Sequence, residues 1–237
     1  MTKLSIIIPS LNEEDNPYFR RNLETFSALD QVEVIISDGG SSDATYAICR
    51  KAGALLLQNK TSSRAQRINF GMQVATGDII LLAHPRSLVH VNNIECLLRH
   101  SDTITWGGFT HSFDEKHFFL KWTSWYSNYV RGAIFGILYL DHCIFFNRTN
   151  MEDIYLPPVD IFEDTILSQK LRSMLGRPTI LSNKVTTSAV RFKTNGVYRQ
   201  SIINQYLKLN FFLGRDHRKM NQYYESKVSL NADYSNS

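Results

Sequence analysis

Short apolar runs alternate with longer amphipathic segments over roughly the first 100 residues of the chain. The strand-length runs lie at 4–10 (LSIIIPS), 32–40 (VEVIISDGG), 54–58 (ALLLQ) and 78–84 (DIILLAH). Helical segments lie between them, at 18–29, 41–53 and 62–77. Serine and aspartate residues cap the start of the second helix, and Gly53 ends it. Because the apolar runs are separated by helices of this length, the pattern predicts right-handed crossovers and a parallel sheet.

The pattern changes beyond about residue 100. TITWGGFTHSF predicts a strand with a glycine bulge or close approach, and FFLKWTSWYSNYVRG predicts an aromatic-rich helix or loop. Further strands are predicted at 143–148 and 177–181, and helices at 162–176, 196–214 and 215–227. The helix at 162–176 is the clearest, because apolar side chains recur on one face and Gly176 follows its last turn. Residues 229–237 are predicted to form a flexible tail.

Composition excludes several classes of protein. The 237 residues are 43% hydrophobic and 20% charged, without an 18-residue apolar run, so we expect a globular chain with no membrane span. Three widely spaced cysteines show neither a disulfide framework nor zinc-ligand spacing, which favours a cytoplasmic location. The net charge of +4 suits phosphate-bearing ligands, whereas no basic block or motif indicates nucleic-acid binding.

Polar residues follow the predicted strands, where open parallel sheets bind their ligands. The candidates behind the first two strands are Pro9, Asn12, Glu13, Asp38 and Gly39. Those at the start of the third helix and behind the fourth strand are Arg64, Arg67, His84 and Arg86. The sequence therefore predicts a binding site at one edge of the sheet.

These motifs, taken in order, resemble glycosyltransferase family 2. The segments are SIIIPSLNEE, VIISDGGSSDAT, RAQRINFGMQVATGDIILLAH, FEDTILSQKLRSMLGRP and VTTSAVRF, and they extend from residue 4 to about 192. They are most similar to a small bacterial subgroup with DGGSxDxT, HADT and EDxxLSxRL motifs. The resemblance implies an α/β GT-A fold over 1–237, with a mostly parallel central sheet, flanking helices and C-terminal helices. It also implies a nucleotide-binding half (about 1–100), an acceptor half (about 101–228), and inverting sugar transfer from a nucleotide-sugar, with UDP favoured.

The resemblance assigns the nucleoside to the first two loops. Asp38 would contact the base or ribose, beside Pro9, Asn12, Glu13 and Gly39. Two alternatives stay open from the residues alone: Asp38 caps the following turn, and Glu13 belongs to an acidic cluster at a helix start.

Basic residues are the candidates for the diphosphate. Arg64 and Arg67 share a helix face near its N-terminus, which suits a pyrophosphate, although a solvated helix face explains Arg67 equally well. His84 would donate to a phosphate or a hydroxyl. Arg191 follows the last predicted strand, where the family has basic residues near the diphosphate.

Arg86 stands where the subgroup has the aspartate of its HADT motif. GT-A enzymes usually neutralise the leaving diphosphate with Mg²⁺ or Mn²⁺, but an arginine repels a cation and pairs with phosphate oxygens. We therefore predict no metal ligand in this chain. Two interpretations are balanced: Arg86 replaces the metal ion, or the site has decayed and Arg86 lies on the surface.

The resemblance places the catalytic base at the second residue of an acidic pair. Asp164 would deprotonate the acceptor hydroxyl, and Glu163 would be an orienting or acceptor-contacting group. The alternative is helix capping and dipole stabilisation. Asp141 would contact sugar hydroxyls, with a local turn as the alternative.

The acceptor, a membrane contact and a competing function stay open from the sequence. The acceptor is unassigned between a lipid-linked molecule and a small molecule. The C-terminal helices carry apolar residues beside basic ones, which favours core packing and has peripheral membrane contact as its alternative. The competing function is a non-catalytic nucleotide-sugar-binding protein that keeps the fold.

Overall fold

The computed structural model describes residues 3–60, 63–150 and 154–226. Its strands are β1 (Leu4–Ser10), β2 (Val32–Asp38), β3 (Leu55–Gln58), β4 (Ile79–Leu82), β5 (Ser87–Leu88), β6 (Trp106–Phe113), β7 (Ile144–Asn147) and β8 (Thr179–Thr187). Its α-helices are α1 (Pro17–Ser27), α2 (Thr45–Lys51), α3 (Arg64–Val74), α4 (Val91–Arg99), α5 (Phe118–Trp125), α6 (Glu163–Leu175), α7 (Val190–Asn195), α8 (Val197–Phe212) and α9 (His217–Glu225). A π-helix, Tyr126–Ile134, continues α5, and a 3₁₀ turn spans Leu140–His142. The predicted tail at 229–237 lies outside the described residues.

The strands form one sheet in the order β3-β2-β1-β4-β7-β6-β8-β5. The first four of these are parallel, as the alternation of strand and helix predicts. The second half is mixed: β7 runs antiparallel to both β4 and β6, while β6 and β8 are parallel. The parallel half brings the carboxyl ends of β1, β2 and β4 to one edge of the sheet.

The sheet is buried on both faces. Successive residues of β1 point to opposite faces, so Ile6 and Ile8 pack with Phe19 of α1, whereas Ile7 packs with Ile68 of α3. All of these apolar side chains are buried. This arrangement is the one that the isoleucine-rich first run predicts.

The glycine-containing strand β6 shows both predicted features. A side chain on Gly107 would collide with the backbone carbonyl of Thr179 on β8, so glycine permits this close approach. The pairing of β6 with β8 also shifts register between Phe109 and Thr110.

Several local predictions need correction. Helix α4 and the short strand β5 were not predicted, because polar residues interrupt the apolar pattern of α4, whose buried face is Asn93, Ile94 and Leu97. Helix α2 begins later than predicted, at Thr45, whose backbone N–H donates to Asp43 Oδ1 (3.0 Å). Within the described part of the chain, no helix is both long enough and apolar enough to cross a membrane.

Candidate active site

The loops after β1 and β2 are joined by hydrogen bonds. The backbone N–H of Asn12 donates to Ser41 Oγ (2.8 Å), and Asn12 Oδ1 accepts from the backbone N–H of Ser42 (2.9 Å). The Glu13 N–H donates to Thr45 Oγ1 (2.7 Å). Asn12 adopts a left-handed backbone conformation with φ of 51°, which asparagine tolerates better than most residues. The two predicted nucleotide-binding loops therefore form one connected wall.

Asp38 stabilises this wall from inside. Its carboxylate accepts four hydrogen bonds, from Ser10 Oγ (3.1 Å), Gly40 N (3.0 Å), Ser41 N (2.8 Å) and Ser41 Oγ (2.5 Å). A carboxylate offers about four lone-pair sites, so these donors use its acceptor capacity. Asp38 is also only 1% exposed. Asp38 therefore holds the turn that follows β2, and its predicted contact with the nucleoside stays a prediction.

A large cavity lies between the loop after β4, the π-helix, α6 and α8, with a volume of about 1640 Å³. The predicted site residues that line it are Arg64, His84, Arg86, Asp141, Asp164 and Arg191. The predicted residues that are not among its lining are Pro9, Asn12, Glu13, Asp38, Gly39, Arg67 and Glu163. The structure therefore brings together most of the diphosphate candidates, the sugar candidate and the base candidate, and the other predicted residues do not line this cavity.

Arg86 is held in the cavity wall by Glu13. Its Nη2 lies 2.9 Å from Glu13 Oε2, which also accepts from Asn16 Nδ2 (2.8 Å). Burial raises the pKa of Glu13 to about 7, although the nearby Arg86 charge opposes that shift. Glu13 is thus a buried partner of an arginine, and the acidic-cluster interpretation does not apply to it. The Arg86 side chain is 17% exposed, so it is not a surface residue.

Arg86 has one buried donor atom without a partner. Its Nε and the second Glu13 oxygen, Oε1, are buried and have no hydrogen-bond partner in the structure. A buried guanidinium N–H without a partner is costly, so it is a position where a ligand oxygen would be stabilised.

Arg64 and Glu163 form a second buried ion pair. Arg64 Nε donates to Glu163 Oε1, and the Glu163 charge raises the Arg64 pKa against the opposing effect of burial. Glu163 is fully buried and positions Arg64, while its predicted contact with the acceptor stays a prediction.

Arg67 is neither solvated nor at the cavity. It is 1% exposed and its Nη1 donates to the backbone carbonyl of Ser10 (2.7 Å). Burial and the neighbouring Arg64 lower its pKa to about 10. The solvated-face interpretation of Arg67 is therefore wrong, because α3 turns this side chain towards the end of β1, and its predicted contact with a pyrophosphate stays a prediction.

Asp164 lies in the first turn of α6. Its Oδ2 accepts from the backbone N–H of Leu140 (3.1 Å), and its Oδ1 accepts from that of Thr165 (2.7 Å). Burial, followed by the adjacent Glu163 charge, raises its pKa to about 6. A carboxyl group with this pKa is ionised near neutral pH and can accept a proton from a bound hydroxyl group.

Asp141 faces the cavity from the 3₁₀ turn, near His84, His111 and His142. Burial lowers the pKa of His84 to about 3 and that of His111 to about 4, so both rings are neutral at pH 7. His84 Nδ1 accepts from the backbone N–H of Arg86 (3.1 Å). His111 was not singled out from the sequence, although its interior position on β6 was a usable signal, and both of its ring nitrogens are buried without partners.

Arg191 also reaches the cavity, but its charge is balanced by α9. Its Nη2 donates to Glu225 Oε1 (2.5 Å), and the guanidinium carbon lies 4.0 Å from the centre of the Tyr224 ring. The expectation that Arg191 acts beside Arg86 is weakened by this pairing, which the sequence did not reveal.

The residues present do not fit a divalent cation. Across 3–60, 63–150 and 154–226, no cluster of three or more His, Cys, Asp or Glu side chains is arranged to hold a metal ion. Arg86 stands where an acidic ligand is expected. Its guanidinium carries the same sign of charge as a metal ion and would repel it.

The sequence matches the family model described as glycosyl transferase family 2 over residues 5–148. No curated protein sequence matches the chain at a significant level.

Solved structures share the fold at low sequence identity. S. aureus TarS 1–349 in complex with UDP-GlcNAc matches with a TM-score of 0.65 and 17% identity, covering 78% of this chain and 58% of that chain. Glucosyl-3-phosphoglycerate synthase from Mycobacterium tuberculosis, in complex with Mn²⁺, UDP and glucosyl-3-phosphoglycerate, matches with a TM-score of 0.60 and 16% identity, covering 78% of this chain and 71% of that chain. The chain thus spans less than two thirds of the TarS chain. These likenesses establish the GT-A-like α/β architecture.

Proposed function

We propose, from the premise that the chain belongs to glycosyl transferase family 2, that it transfers a sugar from a UDP-linked donor to an acceptor hydroxyl with inversion at the sugar carbon. One observation carries the proposal: Arg86 and Asp164 line the same cavity. Arg64, His84 and Asp141 line it too. A cation for the leaving group and a base for the nucleophile are what such a transfer requires.

Arg86 stabilises the departing diphosphate. Negative charge develops on the leaving group as the glycosidic bond breaks, and a fixed cation in a partly buried site stabilises it strongly. Glu13 holds the guanidinium through Nη2, so the unpartnered Nε remains to donate to a phosphate oxygen. Arg64, fixed by Glu163, supplies a second cationic side chain in the cavity.

Asp164 is the base. Two backbone N–H groups orient its carboxylate, and its remaining lone pairs are available to the acceptor hydroxyl. The hydroxyl oxygen attacks the sugar carbon as its proton passes to Asp164, and the carbon–oxygen bond to the diphosphate breaks. Attack opposite the leaving group inverts the configuration at that carbon.

Asp141, His84 and His111 surround the remaining polar part of the cavity and suit the sugar hydroxyls. Neutral histidines can donate and accept, which matches hydroxyl groups that do both. The nucleoside would lie against the wall that Asp38 stabilises, with the exposed Asn12 at its rim. The UDP-GlcNAc and UDP present in the two structural relatives support a uridine donor.

The reaction is proposed to proceed without a divalent cation. The family resemblance implies one, and the M. tuberculosis relative was solved with Mn²⁺. Here the expected acidic ligand is replaced by Arg86, which supplies the positive charge itself.

The test is turnover of a panel of UDP-sugars, measured as UDP release, in EDTA and in MnCl₂. The proposal expects the same rate in both buffers and loss of turnover in Asp164→Asn. Turnover that needs Mn²⁺ overturns the role of Arg86. Micromolar UDP binding without turnover of any donor would establish the alternative, a nucleotide-sugar-binding protein without catalysis.

A further inference from the structure

Part of the cavity lining consists of mostly exposed apolar side chains from two segments, and we call this part the mouth of the cavity. Phe119, Trp122 and Tyr126 line it from α5 and the π-helix, and the α8 residues that line it include Ile202, Leu209 and Phe212. Several of these side chains are largely exposed: Ile202 is 70%, Phe212 73% and Trp122 50% exposed. Apolar surface gathered at a cavity mouth is unfavourable in water and is typical of a binding site for an apolar ligand.

Two cationic side chains lie deeper in the same cavity, around the ring of Tyr139. The Arg131 guanidinium carbon is 3.4 Å from the ring centre, and Lys208 Nζ is 5.7 Å from it. Both residues are half-buried and line the cavity. In the part of the chain that the structure describes, neither forms an ion pair with a carboxylate.

Neither of these two cations is in direct contact with a carboxylate, although Asp164 attracts Lys208 and Asp141 attracts Arg131 from further away. Arg131 is held by neutral groups, including Ser127 Oγ and the backbone carbonyl of Ile137 (3.3 Å). Burial, followed by the Arg131 charge, lowers the pKa of Lys208 to about 8, although the Asp164 charge opposes that shift, so holding the two cations close together has a cost. An anionic group between them would remove that cost.

We infer that the acceptor is an anionic amphiphile: a hydroxyl-bearing molecule whose phosphate-type group binds Lys208 and Arg131 and whose apolar chain lies between α5 and α8. The inference rests on the proposed function, since it names the acceptor for the same cavity. The anionic group would fix the molecule in the cavity that holds Asp164, and the chain would cover the exposed aromatic and aliphatic side chains at the mouth.

Binding of octyl phosphate, octyl glucoside and ethyl phosphate, each below its micelle concentration, tests the inference by calorimetry at pH 7. Octyl phosphate is expected to bind at least ~10-fold more tightly than either of the others, because only it satisfies both the cations and the apolar mouth. Lys208→Gln should lose ~10-fold in octyl phosphate affinity and no longer distinguish it from octyl glucoside. Lys121→Gln, an exposed lysine on α5 outside the cavity, is the matched control and should bind like the wild type.

Phe212→Ser tests the apolar contact separately. Phe212 is exposed, so the substitution should not disturb folding. It should weaken octyl phosphate binding and leave ethyl phosphate binding unchanged. Equal affinities for octyl phosphate and octyl glucoside in the wild type overturn the inference. So does sedimentation as a dimer that Phe212→Ser dissociates, since a second copy would then cover the mouth.

UDP release from UDP-sugars, measured on the same preparations, distinguishes a failure of this inference from a failure of the proposed sugar transfer. Turnover without selective octyl phosphate binding overturns the acceptor assignment alone. Selective octyl phosphate binding without UDP binding or turnover overturns the proposed function, and the acceptor role with it.

Discussion

The guanidinium of Arg86 and the carboxylate of Glu13 lie 2.9 Å apart at the wall of the cavity, and Glu13 is almost completely buried behind it. The pair has two consequences. It fixes the direction of the arginine, and it leaves a buried carboxyl whose pKa is raised to about 7, so the pair readily takes up a proton near neutral pH. A protonated Glu13 leaves the Arg86 charge uncompensated and therefore more attractive to a diphosphate.

Replacing Arg86 tests its electrostatic role. Arg86→Gln should lower kcat/KM for a UDP-sugar about 10²–10³-fold, the usual effect of removing one donor from a developing anion. Arg86→Lys keeps the charge but loses the planar donor geometry, so it should retain an intermediate rate. Rates measured in EDTA and in MnCl₂ check the account, and rescue of Arg86→Gln by Mn²⁺ would contradict it.

The same substitution should also affect stability. Arg86→Gln leaves Glu13 buried without its cation, which lowers the free energy of unfolding at pH 8, where Glu13 is ionised. The double variant Glu13→Gln, Arg86→Gln should recover much of that loss, because neither position of the pair then carries a buried charge. Urea unfolding at pH 8 measures the difference, and equal stabilities of the single and double variants would show that the pair is not coupled.

Asp164→Asn should slow transfer strongly while preserving UDP affinity. General-base catalysis contributes about 10²–10⁴-fold, and asparagine cannot accept the proton. Asp78→Asn, at an exposed position far along the sheet, is the control and should keep the wild-type rate. Steady-state UDP release and UDP titration measure the two effects, and a wild-type rate in Asp164→Asn would assign the base elsewhere.

The pH profile should reflect Asp164. Burial and Glu163 raise its pKa to about 6, and only the ionised form can act as the base. Activity should therefore rise with pH through about 6, before ionisation of Glu13 near pH 7 weakens the attraction of Arg86 for the diphosphate. The residual rate of Asp164→Asn should lack this limb, so the same limb in the variant would assign it to another group.

Local pattern predicts the first half of the fold and part of the site. The alternation of apolar runs and helices identifies β1 to β4, and the position of a residue after a strand identifies Arg86 and His84 as cavity residues. These predictions succeed because strand burial and strand ends are properties of short segments.

Long-range pairing is what the sequence does not specify. Arg64 and Glu163 are 99 residues apart, and nothing in either segment indicates that one orients the other. Arg67 looked equivalent to Arg64 because the two share a helix face, yet the packing of α3 buries it against the carbonyl of Ser10. Asp38 matched a family position, but its hydrogen bonds become visible only once the loop is folded.

The stability of the protein should depend on its buried histidines in acid. The unfolded pKa of histidine is about 6.5, whereas burial lowers the folded pKa of His111 to about 4. The unfolded chain therefore takes up the proton first, so the contribution of neutral His111 is fully present above pH 6.5 and is lost as pH falls towards 4. Glu13 and Asp164, whose pKa values are raised, act in the opposite direction, so the wild-type profile alone does not isolate the effect.

His111→Leu isolates it, because both ring nitrogens are unpartnered and leucine fills a similar volume. At pH 7.5 the variant should be at least as stable as the wild type, since a buried polar group without partners is removed. At pH 5 its advantage should grow by about 2 kcal/mol, the free energy with which protonation favours the unfolded wild-type histidine. Urea unfolding of both proteins at the two pH values measures this change, and a difference that is independent of pH would mean that folding does not lower the pKa of His111.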